Sequence, residues 1–133
     1  MSKTDCLIGG LRMVCEREGY HARQFEQRLL ELGGEKKEGM SEDGRKYVDF
    51  IADPNISDAD KLLRVTSLVP DLKAAIQPII DFAESIKEDQ HTKEMVALFA
   101  QDEMSSASWL VAACKLLNPQ LKSEPAQARA SMQ

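Results

Sequence analysis

Leu11-Arg-Met-Val-Cys15-Glu-Arg-Glu18-Gly-Tyr-His21-Ala-Arg-Gln-Phe25-Glu-Gln-Arg-Leu29-Leu-Glu-Leu32-Gly33-Gly34 is the stretch on which the fold turns. Its apolar residues Leu11, Cys15, Ala22, Phe25, Leu29 and Leu32 follow alternating steps of four and three, with position 18 completing the series. That period lines them along one side of an α-helix, whereas a strand needs alternation by two. Gly33-Gly34 supplies the residue type that ends a helix in the left-handed conformation. The pattern predicts a helix over 5–32 with this stripe buried against a bundle.

Working outward, residues 35–42 read as a solvated loop, and a short amphipathic helix over 43–52 presents Tyr47, Val48, Phe50 and Ile51. Asp53-Pro54-Asn55 forces a turn. Ser57, with Asp60 three residues on, is a capping-box variant that opens the next helix. The stripe Leu62, Val65, Val69, Leu72, Ile76, Ile79, Ala83 and Ile86 carries it to about residue 87. Pro70 and Pro78 fall inside that segment, which reads as one kinked helix, with a break at Pro70 as the alternative. The last helix runs from about Thr92 to Leu117, where Asn118-Pro119 stops it. Residues 119–133, small and polar, read as a disordered tail behind a single domain over 1–118. The chain is therefore expected to be all-α, with three long helices and one short one.

At 133 residues it has the length of one domain, and 43% hydrophobic with 29% charged residues suits a globular protein. A net charge of −5 gives no footprint for nucleic acid or an anionic membrane surface. No apolar run approaches the roughly 18 residues of a membrane span, and the first residues lack a signal-peptide pattern. Cys6, Cys15 and Cys114 are odd in number and lack C-x-x-C spacing, which points to a reducing compartment, the cytoplasm.

Two carboxylates violate the helical pattern. Glu18 points to the centre of the first helix's apolar face, with His21 at its flank. Glu103 and Ser106 occupy the centre of the stripe Val96, Phe99, Leu110, Ala113 and Leu117 in the last helix. A carboxylate aimed into a bundle core is costly unless it is paired, protonated or bound to a metal. Glu-x-x-His puts both side chains on one helix face, where they can share a metal between helices. The competing structural reading pairs Glu18 with Arg12, Arg17 or Arg23 at the bundle edge and leaves His21 an ordinary flank residue. Cys15 and Cys114 are expected to face inward as small hydrophobes. His91, in a second Glu-x-x-His at the helix–helix turn, reads as a cap or loop residue. No nucleophile triad and no phosphate loop can be built from these residues.

Residues 18–34 resemble the second helix of ferritin-like proteins of the bacterioferritin and rubrerythrin type, where E-x-x-H-A leads to an E-R-x-x-x-L-G-G ending. Asp89 to Leu110, with Asp102-Glu103-Met-Ser-Ser106-Ala-Ser-Trp109-Leu110, is similar to that family's polar turn and D-E-x-x-H-x-x-W-L helix. The resemblance implies a ferritin-like up-down bundle, in which four carboxylates and two histidines hold a pair of iron or manganese ions. On the matching positions, Glu18, His21 and Glu103 are metal ligands. Ser106 stands where the second histidine belongs, and Val69 and Pro70 stand where the third helix should supply a carboxylate; Asp71 projects off that face. The family's first helix has no counterpart, so the bundle is about one long helix short.

Three ligands suffice for one ion with an open position. The expected function is a non-catalytic, degenerate site that binds at most one metal ion. The alternatives are a helical protein-interaction module without metal, or a di-metal oxidoreductase completed by a second subunit. Because the bundle lacks a helix, either the 43–52 helix caps it or a second copy covers the open face, and a homodimer is expected.

Overall fold

A computed structural model describes residues 5–122. Its helices are α1 (Asp5–Glu31), α2 (Glu42–Ala52), α3 (Asp58–Ser67), α4 (Leu72–Ser85) and α5 (Gln90–Leu117), followed by a 3-10 turn over Pro119–Lys122. There is no strand among the described residues. Four of the helices start at a side chain that accepts from an otherwise free backbone N–H. Ser41 takes Gly44, Ser57 takes Asp60, Asp71 takes Ala74 and Asp89 takes Thr92, all at 3.0–3.1 Å. α1 ends as its glycine pair dictates. Gly33, at φ 79°, donates to Leu30 and Gly34 donates to Leu29, the paired bonds of a Schellman motif.

The expected three long helices become two, because the third segment is broken at Pro70. A proline offers no N–H and drives the residue before it, Val69, out of the helical region. Asp71 then caps α4 afresh. Pro78 lies inside α4 without ending it. The stripe nevertheless runs through the break: Leu62, Ile76 and Ala83 are buried, and Val65, Val69, Leu72, Ile79 and Ile86 are half-buried. Residues 119–122 also depart from the expected tail. They turn back so that Leu121 packs against the core, while 123–133 lie outside the described residues.

α5 is the central element, and α4, α3 and α1 all pack on it. Its predicted stripe faces inward, with Val96, Ser106 and Ala113 buried and Phe99, Glu103, Leu110 and Leu117 half-buried. Leu7, Leu62, Ala113 and Cys114 form a buried cluster at one end, joined by Leu11, Trp109 and Leu110. The Trp109 ring lies over Gly10, where an added Cβ would come within 1.8 Å of it. α2 contributes no buried residue, and Tyr47 and Val48 are exposed. No helix among the described residues is long and apolar enough to cross a membrane.

α1 corrects the sequence reading. Its inward line is Leu7, Gly10, Arg17, His21 and Arg28, a rotation away from the predicted stripe. Cys15, Glu18, Ala22, Leu29 and Leu32 are exposed instead, and His21, expected at the flank, is 6% exposed. The reason is that α1 packs chiefly on one helix, α5, which takes the side offering a flat glycine for Trp109 and two arginines for polar groups. Cys114 faces inward as expected; Cys15 does not.

Candidate metal site

Midway along the α1–α5 contact, the i, i+3 spacing sets Glu18 and His21 one helical turn apart, opposite Asp102 and Glu103 of α5. One ligand atom each from Glu18, His21 and Glu103 lies within 4.8 Å of the others. The three residues singled out in the sequence are thus brought together, although Glu18 reaches the group from the exposed side.

His21 is held by both ring nitrogens' surroundings. Nε2 lies 2.8 Å from Asp102 Oδ2, a donor-to-carboxylate distance. The Phe99 ring meets the imidazole edge to face at 4.9 Å, and Phe99 in turn meets Phe25 at 5.0 Å. With the proton on Nε2, the lone pair of Nδ1 points to Glu103 Oε1, 3.6 Å away. Both of those atoms are buried without a hydrogen-bond partner, and 3.6 Å is too long for one between them. Two facing acceptors in a buried setting are satisfied by a proton or a metal cation between or beside them.

Burial pushes the Glu103 carboxyl up to about 7, with its hydrogen bond to Glu18 and the charge of that carboxylate adding to the effect and His21 opposing it. Near neutrality the Glu103 carboxyl therefore holds its proton more tightly than an ordinary glutamate, and a divalent ion would displace that proton. An oxygen, oxygen, nitrogen set with the far histidine nitrogen on a carboxylate is the ordinary donor arrangement of divalent manganese, iron or zinc sites. The residues fit one such ion.

They do not fit two. Ser106, 3% exposed, accepts from Arg17 Nη1 at 3.0 Å, and the same nitrogen reaches the Asp102 carbonyl at 3.4 Å. A guanidinium thus sits against Ser106, the position to which the resemblance assigns a second histidine. Asp71 is spent on the α4 cap and lies outside the group. His91 sits exposed in the first turn of α5, lining a cleft of about 260 Å³ with Tyr20, His21 and Asp102 rather than joining the ligands.

Sequence reasoning offered Arg17 as a partner of Glu18, whereas it donates to Ser106, and it missed Asp102 as the partner of His21. A wheel centred on Glu103 turns Asp102 off the face, yet its place beside Glu103 across from a histidine was the available signal. It also missed the network that fixes α1 on α5. Arg28 Nη2 donates to both Asp89 oxygens at 2.7 and 2.8 Å, its Nε donates to Thr92 at 2.8 Å, and its Nη1 donates to Glu31 at 2.8 Å. The Thr92 hydroxyl and backbone, with Arg28, hold the Asp89 carboxyl well below the usual carboxylate range.

No family model matches the chain, and no curated protein or solved structure matches it either.

Proposed function

We propose that this chain is a ferritin-like helical-bundle protein whose degenerate site binds one divalent metal ion through Glu18, His21 and Glu103, without di-metal oxygen chemistry. The observation that carries the reading is the pair of partnerless buried atoms, His21 Nδ1 and Glu103 Oε1, 3.6 Å apart, with the other imidazole nitrogen on Asp102. When bound, the ion would supply a Lewis-acidic centre with open positions. Glu18 and Glu103 would give it anionic oxygens and His21 a neutral nitrogen. Iron or manganese is the choice the resemblance favours. The Arg17 guanidinium against Ser106 supports a single ion, since a second would meet a fixed positive charge. Free Cys15 and Cys114 fit a reducing compartment, the cytoplasm.

Elemental analysis of protein purified without chelator, beside a Glu18→Ala/His21→Ala double variant, tests this. The expected result is about one equivalent of metal in the wild type and none in the variant. Wild-type protein that stays empty when offered iron, manganese or zinc overturns the reading and leaves the interaction module; two equivalents would restore the di-metal oxidoreductase.

A further inference from the structure

The flank of α1 beside its α5 contact carries a regular apolar pattern. Ile8, Cys15, Ala22 and Leu29 recur every seven residues, and all four are exposed. Three residues after each come Leu11, Glu18, Phe25 and Leu32; Glu18 and Leu32 are exposed, while Leu11 and Phe25 are half-buried, one against the core cluster and the other on Phe99, and leave only their outer edges to a partner. Together they make the alternating three–four seam with which two helices wind around each other.

We propose that this seam is the interface with a second copy of the chain, α1 lying antiparallel on the partner's α1 about a two-fold axis near Gly19 and closing over Glu18. The register is self-complementary. Ile8 meets the partner's Leu32, Cys15 the partner's Phe25, Ala22 the partner's Glu18 and Leu29 the partner's Leu11. A parallel pairing would instead set Glu18 against its own copy, two carboxylates at one level of an apolar seam. Antiparallel pairing gives each Glu18 a small alanine and leaves it room to stay with His21 and Glu103.

Gly19 supplies an independent argument. Glycine weakens a helix interior, and Gly10 is accounted for by Trp109, whereas the only atom near a Cβ at Gly19 is Arg23 Nη1, at an ordinary 3.5 Å. Nothing within one copy needs the glycine; on the two-fold axis it lets two backbones approach. Arg12 and Glu26 flank the seam on the Gly19 side, so the antiparallel register sets each Arg12 beside the partner's Glu26, twice by symmetry. Glu26 also reaches Lys36 at 3.2 Å, an exposed pair that leaves it free to serve both. From Ile8 to Leu32 the seam is about 36 Å long.

The interface does not depend on an ion, so it is tested in chelator by sedimentation equilibrium at micromolar concentration, where a dimer is expected. Leu29→Glu, on an exposed position and checked for native helix content, is expected to raise the dissociation constant at least about 30-fold. Arg12→Glu is expected to weaken the dimer and Arg12→Glu/Glu26→Arg to restore it. Gly19→Cys in a Cys6→Ser/Cys15→Ser background is expected to form an intermolecular disulfide on treatment with diamide. A monomer throughout, a dimer indifferent to Leu29→Glu, or the absence of both charge-swap rescue and the Gly19→Cys cross-link overturns the proposal and leaves the metal reading untouched.

Discussion

Replacing Glu103 by glutamine in the metal-free protein is expected to stabilise it at alkaline pH. Burial and Glu18 raise the Glu103 carboxyl from 4.5 to about 7 in the folded chain, while the unfolded chain keeps the ordinary value. At pH 8 the folded state therefore carries an ionised carboxylate in a setting that disfavours it. As pH falls from 8 toward 4.5 the folded state takes up the proton first, so stability rises; below 4.5 the unfolded chain takes it up as well and the gain levels off. A tenfold change in proton affinity corresponds to about 1.4 kcal/mol. The side chain is 27% exposed, so solvent screening should leave about 1–2 kcal/mol of the effect in the folding equilibrium. Glutamine is neutral throughout. It should exceed the wild type by that amount at pH 8, about 3–8 °C in Tm, and match it near pH 5. Urea unfolding followed by circular dichroism in chelator at pH 5, 6.5 and 8 measures this. A variant less stable than wild type at pH 8, or two parallel pH profiles, would refute the reasoning.

Other outcomes follow from the same geometry. Asp102→Asn removes the carboxylate that fixes the His21 tautomer and should weaken manganese or zinc binding about 10- to 100-fold by calorimetric titration; an unchanged affinity would remove Asp102 from the site. Metal affinity should fall about tenfold for each pH unit below 7, as the ion competes with the proton on Glu103, and a flat profile down to pH 5.5 would contradict that competition. Gly10→Ala should cost about 1–3 kcal/mol, because its methyl would strike Trp109. Gly9→Ala, one residue away with nothing within 4 Å, should instead stabilise by up to about 1 kcal/mol; denaturant midpoints of the two variants compare them directly.

The sequence was most legible where a helix is enclosed. α5 is packed by α1, α3 and α4, so its apolar stripe and its inward face coincide, from Val96 to Leu117. The same holds across Pro70, where the chain breaks but the stripe from Leu62 to Ile86 still faces inward. α1 was misread in rotation because periodicity reports which side of a helix is apolar, not which neighbour is present to cover it. The grouping of Glu18, His21 and Glu103 survived that error. Glu18 and His21 are one turn apart on adjacent strips of the surface, so a modest rotation exchanges which of them is buried without separating them. The pairings of Asp102, Arg17 and Arg28 were hidden because charged residues at a helix edge look alike until the facing helix is known.

The polar fork at Arg28 and the Trp109 ring over Gly10 lie at opposite ends of the α1–α5 contact, with His21 and Asp102 between them. A slide of α1 by one turn would carry every ligand about 5.4 Å past its counterpart, and both ends would have to let go at once. For the ion proposed above, the span between the ligating atoms would therefore be set at the two extremities rather than at Glu18, His21 and Glu103. Under that proposal, size discrimination among cations would depend on the length of the helix pair, and loosening either end should broaden the range of ions accepted before any ligating atom is changed.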